Sequence, residues 1–151
     1  MSYELVIALP DHCAELAPRL RRADALEIRD MSDMDSLTAL HTSLDVSVCA
    51  WTWLVDGVPA LMTGVAAPSI VGNVGYPWLM TTDLVRSHVR EFWRGSQNVL
   101  STIRARYPRL EGLCDARYET SLRWLRRLGF FVEHPVKIEP FRTLVCRYWI
   151  G

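Results

Sequence analysis

The chain has 151 residues, half of them hydrophobic, and its Lys plus Arg count equals its Asp plus Glu count, so the formal net charge is zero. That length suits one domain, spanning 1–151, with a real core. The charge balance argues against non-specific nucleic-acid or membrane-surface binding, and no apolar run is long enough to span a bilayer. The neutral total hides an uneven layout. Arginines gather between 86 and 127, acids are commoner before 56, and Lys137 is the only lysine; a GC-rich coding background accounts for that last bias. Cys13, Cys49, Cys114 and Cys146 have no metal-ligand spacing, and they read as reduced core residues of a cytosolic protein. The N-terminal MSYELVIALPD lacks the basic and long apolar regions of a signal peptide.

Residues 3–9 are apolar and partly β-branched, and they predict a first strand or extended arm. Pro10 ends it and Asp11 can cap a helix. Roughly helical apolar spacing follows from 12 to 29, with Pro18 dividing or kinking it. Asp24, Glu27, Arg29 and Asp30 form a charged cluster, read as a solvated face with helix-spaced ion pairs. Ser32 and Asp35 resemble a capping box before a helix over 33–44; His41 on that helix reads as a surface or flank residue.

Residues 46–55 are strongly strand-like. Asp56-Gly57 is the strongest short hairpin signal in the sequence, leading to a return strand over 58–66. Gly64 within it marks a bulge or a close backbone approach. A Gly/Ser/Pro/Asn loop covers 68–75. Residues 76–82, with Trp78, Leu79 and Met80 in a row, read as a buried central strand. A long helix is predicted over 85–107, with Val85, Val89, Phe92, Val99 and Ile103 on one face, and Pro108 stops it. A strand at 110–114 follows, then a helix with Leu122, Leu125 and Leu128 in a stripe, a turn at Gly129, a strand at 130–134, turns at Pro135 and Pro140, and a last strand at 144–150.

The segment Leu110–Cys114, helix, Leu128-Gly129-Phe130 and strand resembles the last conserved segment of the GCN5-related N-acetyltransferases (GNAT). The order of elements over nearly the whole chain resembles that fold too. The resemblance implies an α/β (α+β) architecture: a mixed, mostly antiparallel sheet of about six to seven strands flanked by helices and splayed between its central strands, where acyl-CoA enters. A narrower likeness rests on Arg22, Asp24, Glu27 and Ile28, on Asp56-Gly57-Val58-Pro59 through Gly64-Val65, on Trp78-Leu79, on Phe92, Arg94 and Ser96, and on Arg123-Trp124-Leu125. Those residues are similar to small acetyltransferase-like proteins of tailed bacteriophages, some of which are internal virion proteins.

The implied chemistry needs backbone N–H groups for the CoA diphosphate, a base for the amine and an acid for the departing thiolate. The family's Gln/Arg-x-x-Gly-x-Gly/Ala loop has no counterpart. Registers starting at Arg86 or Arg94 put Val89 and Glu91, or Gln97 and Val99, where glycines are needed. Thr81 and Thr82 at the strand end, with Arg90, Arg94, Gly95 and Ser96, are the expected contacts to acetyl-CoA through a looser anion site; the alternative is a solvated helix face. Leu125 stands where the family has its Tyr and Tyr118 where it has Asn. Tyr118 is therefore the candidate acid, or else a partly buried core aromatic. Asp83 is the candidate base through a water, or else a helix N-cap, with His88 and His134 behind it. No metal is implied.

Two functions compete. One is acetyl transfer from acetyl-CoA to an amine on a small molecule or protein. The other is a non-catalytic protein of the same fold that binds a phage or host protein. Both place the chain in the bacterial host cytoplasm or in a virion, with no nucleic acid or membrane as partner, and both are compatible with a homodimer.

Overall fold

A computed structural model describes residues 1–69 and 71–151. Ile70, inside the expected 68–75 loop, lies outside the described residues. Seven strands form one sheet: β1 Tyr3–Ile7, β2 Ser47–Val55, β3 Val58–Ala66, β4 Val74–Thr81, β5 Arg109–Asp115, β6 Phe131–Val132 and β7 Val145–Ile150. Their order is β1-β2-β3-β4-β5-β7-β6. Every neighbouring pair is antiparallel except β4 with β5. This is the mixed, mostly antiparallel sheet expected from the element order.

The helices are α1 Pro10–Leu16, α2 Arg22–Ser32, α3 Ser36–Val46, α4 Val89–Arg106 and α5 Glu119–Leu128. Pro18 divides the first helical stretch, as expected, and sits in a 3-10 turn over Ala17–Arg19 that separates α1 from α2. The expected Ser32 cap is corrected. Asp33 adopts a left-handed conformation that ends α2, and Ser32 donates its hydroxyl to the Ile28 carbonyl at 2.5 Å. Asp35 is the true N-cap of α3, accepting the Thr38 N–H at 2.7 Å. The single long helix expected over 85–107 is also corrected: a 3-10 helix, Asp83–His88, leads into α4. Gly129 ends α5 at φ 105°, the left-handed conformation that favours glycine.

Alternation along the strands sorts side chains between two faces. On one, Met62 and Met80 meet Cys13 and Leu16 of α1 and Leu40 of α3. On the other, Ile103 of α4 and Leu122 and Leu125 of α5 pack against Val65, Leu110 and Tyr148. Phe92 at the start of α4 covers Trp53 and Leu61. Gly64 is a point of close approach, as expected: a Cβ there would stand 2.9 Å from Trp78 Nε1. Among the described residues, no helix is long and apolar enough to cross a membrane.

β4 and β5 are paired in parallel at Val74 with Arg109 and at Gly75 with Leu110. Beyond Gly75 the ladder stops, and a gap opens between the two halves of the sheet.

Candidate active site

The gap is defined by what its two edges bind. In a strand, backbone N–H and C=O groups of alternate residues point to the same side. Thr81 turns both of its groups away from β3: its C=O accepts the N–H of Arg21 at 2.8 Å, and its N–H donates to Asp24 Oδ2 at 2.9 Å. By the same alternation, Leu79 and Pro77 face the gap. Pro77 has no N–H to offer β5, and its carbonyl accepts the Tyr148 hydroxyl at 3.4 Å. Leu79 presents its amide edge between them. Across the gap, Asp115 donates its N–H to Glu27 Oε2 at 2.9 Å, and the Cys114 thiol reaches the same oxygen at 3.8 Å.

Helix α2 therefore lies across the mouth and caps both diverging strands. Asp24, Glu27 and Asp30 recur every third residue, which puts them on one helix face. Asp24 holds β4, Glu27 holds β5, and Asp30 accepts Arg117 Nη2 at 2.6 Å. The expected solvated face is thus corrected: these acids point into the fold, because the splayed strands leave amide donors that need acceptors. The Arg29 side chain alone in the cluster remains largely exposed.

Electrostatics single out Glu27. Burial, reinforced by the charges of Asp24 and Asp115, raises its carboxyl to about 7, against the opposing hydrogen bond from the Asp115 N–H. Asp115 itself is fully buried. It is held by Arg117 through the backbone N–H at 2.9 Å, Nε at 3.0 Å and Nη2 at 2.7 Å, and by the Thr143 hydroxyl at 3.3 Å. The Arg117 hydrogen bond holds the Asp30 carboxyl below its usual range, and the bonds it donates to Asp115 and Asp30 raise the Arg117 guanidinium further. Burial raises the Tyr148 phenol and the Cys114 thiol, keeping both protonated.

The opposite side of the gap opens into an apolar cavity of about 220 Å³. Pro77, Trp78 and Leu79 form one wall, α4 the roof and α5 the far wall. Trp124 of α5 stacks on Phe92 of α4, with centroids 5.4 Å apart. Tyr148 reaches into this space from β7 because the residue beneath it is glycine. A Cβ on Gly112 would stand 2.5 Å from the Tyr148 Cζ and hydroxyl oxygen.

The residues predicted from sequence are divided by this geometry. Thr81 lies on the gap, with its hydroxyl donating to Asp24 at 2.7 Å. Gly95 and Ser96 line the cavity. Nothing lies within 4 Å of a Cβ built on Gly95, so it borders open space. The Ser96 hydroxyl donates to Phe92 O at 2.8 Å. Thr82 turns the other way and donates its hydroxyl and N–H to Ala60 O at 2.7 and 3.0 Å. Asp83 is exposed and paired with Arg86 at 3.8 Å; it is the first residue of the 3-10 helix rather than its N-cap. Arg90 and Arg94 are on the exposed side of α4. Tyr118 is the N-cap residue of α5; its phenol, raised chiefly by burial, lies in the field of Arg117, Asp115 and Glu27. His88 is buried against the Tyr3 hydroxyl at 2.8 Å, and His134 is exposed. Glu27 was read from the sequence only as part of the charged cluster and of the narrower likeness, and Tyr148 was not singled out. The three-residue spacing of the α2 acids was the available signal for the first. Nothing local announces the second.

The sequence matches no protein-family model and no curated protein. Solved structures match over nearly the full chain. A GNAT-family acetyltransferase from Streptococcus pneumoniae is 13% identical, with 98% of each chain covered and a TM-score of 0.64. One from Bacillus anthracis is 8% identical, covering 99% of this chain and 93% of that one, at 0.69. The ribosomal L7/L12 α-N-protein acetyltransferase RimL, in complex with coenzyme A, is 12% identical, covering 99% and 93%, at 0.68. The chain has the GNAT fold.

Proposed function

We propose that this protein transfers an acyl group from a coenzyme A thioester to an amine. The observation that carries the reading is Glu27, a carboxyl raised to about 7 and fixed at the mouth of the gap opposite the apolar cavity. A base with its pKa near neutrality is matched to accepting a proton from an amine. The thioester supplies an activated acyl carbon. In the transfer a C–N bond forms and the C–S bond breaks. Glu27 takes the amine proton, and Tyr148, protonated and lining the cavity, is placed to return one to the leaving sulfur. Tyr118, which does not line the cavity, and Asp83, turned to solvent, are less well placed for these roles.

The cleft fits the thioester arm of CoA. Its walls are apolar, Leu79 offers an amide edge, and the buried Trp124 Nε1 has no hydrogen-bond partner. The diphosphate is served differently from the family pattern. The turn into α4 is a 3-10 helix without glycine, so close backbone approach is blocked; Arg90 and Arg94 supply charge from the α4 surface.

Calorimetric titration with acetyl-CoA and CoA at fixed salt tests the reading. No binding at millimolar concentration overturns it. With binding established, Glu27→Gln should preserve affinity while removing thiol release in the presence of an amine panel. The glycine-free turn also favours a second reading, a non-catalytic protein that binds a phage or host partner through the same fold. The resemblance to tailed-phage proteins, virion association and a homodimer belong with either reading.

A further inference from the structure

We propose that the outer edge of β1 is a docking surface for a second copy of this chain, whose own β1 adds to it antiparallel across a two-fold axis. The inference does not depend on the acyl-transfer reading. It starts from the hydrogen-bond pattern. β1 ends the sheet and pairs with β2 alone. The Ala8 N–H donates to Ala50 O at 3.1 Å, and the Asp56 N–H donates to Ser2 O at 2.8 Å. Both bonds continue the register that runs from Tyr3 with Val55 to Ile7 with Trp51. The even residues of β1 therefore bond β2, and the N–H and C=O groups of Tyr3, Leu5 and Ile7 point outward. Among the described residues, no backbone partner meets those outward groups. The two edges of the sheet differ. β6 is two residues long and Pro135 follows shortly after, which blunts it. β1 has no proline and no lysine, and its register with β2 is unbroken. Its odd side chains share one face and are apolar: Tyr3 is 36% exposed, Leu5 46% and Ile7 76%. Such an edge is a template for another strand.

Register argues that the strand is a second β1. A two-fold axis at Leu5 sets Leu5 opposite Leu5, Tyr3 opposite Ile7 and Ile7 opposite Tyr3, each pair exchanging both of its N–H···O bonds. Every exposed side chain on the odd face then meets an apolar one, and Glu4 stands opposite Val6. The neighbouring two-fold registers fail. With the axis at Glu4, that carboxylate faces its own copy. With the axis at Val6, Tyr3 falls opposite Leu9, whose N–H is already given to His12 Nδ1 at 3.1 Å. A chain with zero formal net charge adds no long-range repulsion between copies. Leu5 also lines the β1 end of the cavity, so Leu5 of the second copy, directly opposite and on the same face, would extend that wall.

Sedimentation velocity of the intact chain over a concentration series should show a dimer of twice 17.3 kDa. Ile7→Pro removes an outward N–H and none of the bonds to β2, a position where an edge strand accepts proline; it should lose the dimer. Ile7→Lys places a charge at an exposed position outside the core. It should lose the dimer too, and it carries the test where the proline variant does not fold. Phe131→Lys, on the far edge strand, should leave the dimer intact. Amide exchange reads the register: the Leu5 N–H should exchange about tenfold or more slower in the parent than in Ile7→Lys, while Glu4 and Val6, bonded to β2, stay slow in both. A parent that remains monomeric overturns the inference, as does a dimer that survives the Ile7 substitutions or is lost in Phe131→Lys. A dimeric parent whose Leu5 amide exchanges as fast as in Ile7→Lys overturns it as well.

Discussion

The carboxylate of Glu27 on α2 accepts the backbone N–H of Asp115 on β5 at 2.9 Å, a hydrogen bond between residues 88 positions apart. It occupies a donor that an unsplayed sheet would have given to β4. Its neighbour three residues back does the same for β4 at Thr81. The candidate base is therefore also part of what keeps the two half-sheets apart.

Stability and activity should respond to Glu27 in opposite directions. Its carboxyl, which ordinarily titrates near 4.5, is raised to about 7 in the fold. Between those values the folded chain holds a proton that the unfolded chain has lost. The contribution is fully present below about 4.5 and lost as pH rises through about 7, a loss of about 3 kcal/mol. Glu27→Gln keeps an acceptor for Asp115 and carries no charge. It should be more resistant to urea than the parent at about pH 8 and equal to it near pH 4. Its transfer rate should fall by about 10²–10⁴. The parent's rate should climb with pH through a single ionisation near 7. The same difference in stability at both pH values would refute this assignment.

Removing the Arg117 side chain should loosen the clamp between α2 and β5. Arg117→Ala strips three guanidinium hydrogen bonds from the buried Asp115 and one from Asp30. A buried carboxylate left without its cation costs about 3 kcal/mol. Arg117→Lys should recover only part of that, since a point charge replaces a fork. Urea midpoints for the three proteins measure both effects.

At Gly112 the smallest added side chain meets a ring that cannot swing aside cheaply. Gly112→Ala should cost about 1–3 kcal/mol, as overpacking does. It should cost more than Tyr148→Phe, which loses one long hydrogen bond worth about 1 kcal/mol or less. Tyr148→Phe should nevertheless lower the transfer rate, whereas a purely structural Tyr148 would leave it unchanged. Denaturant titration and thiol-release kinetics on both variants separate the two roles.

If Arg90 and Arg94 meet the CoA phosphates from an exposed helix face, their contribution should be screened. The double Ala variant should weaken CoA binding by about tenfold at low ionic strength and much less at about 1 M salt, where the screening length is about 3 Å. Equal losses at both salt concentrations would argue against a surface site.

Much of the fold was legible because local rules agree with it. Asp56-Gly57 closes β2 onto β3, and Gly129 ends α5. Alternating and three-residue apolar patterns found all seven strands and the long helices. The site was harder to read because it is assembled from long-range pairings. Glu27 on its helix looks like any other surface acid. Its character comes from the Asp115 amide, freed only because β5 leaves β4 after Gly75. Tyr148 depends on Gly112 lying opposite it in the β5–β7 register, a relationship absent from either segment alone. The expected CoA contacts followed a family loop whose glycines this chain lacks: Thr82 turns toward Ala60, Arg90 and Arg94 stand on the exposed face of α4, and Asp83, expected as the base, is paired with Arg86.

The α2 acids and Tyr148 give the gap an unusual permanence. An open sheet edge is ordinarily sticky, ready to zip to its neighbour or to another chain. Here Thr81 and Asp115 are already satisfied, and Pro77 has its carbonyl engaged and no donor to give. Closure would have to break those bonds before making new ones. The cleft is therefore a built-in feature of the resting molecule, and a ligand entering it spends none of its binding energy prising two strands apart.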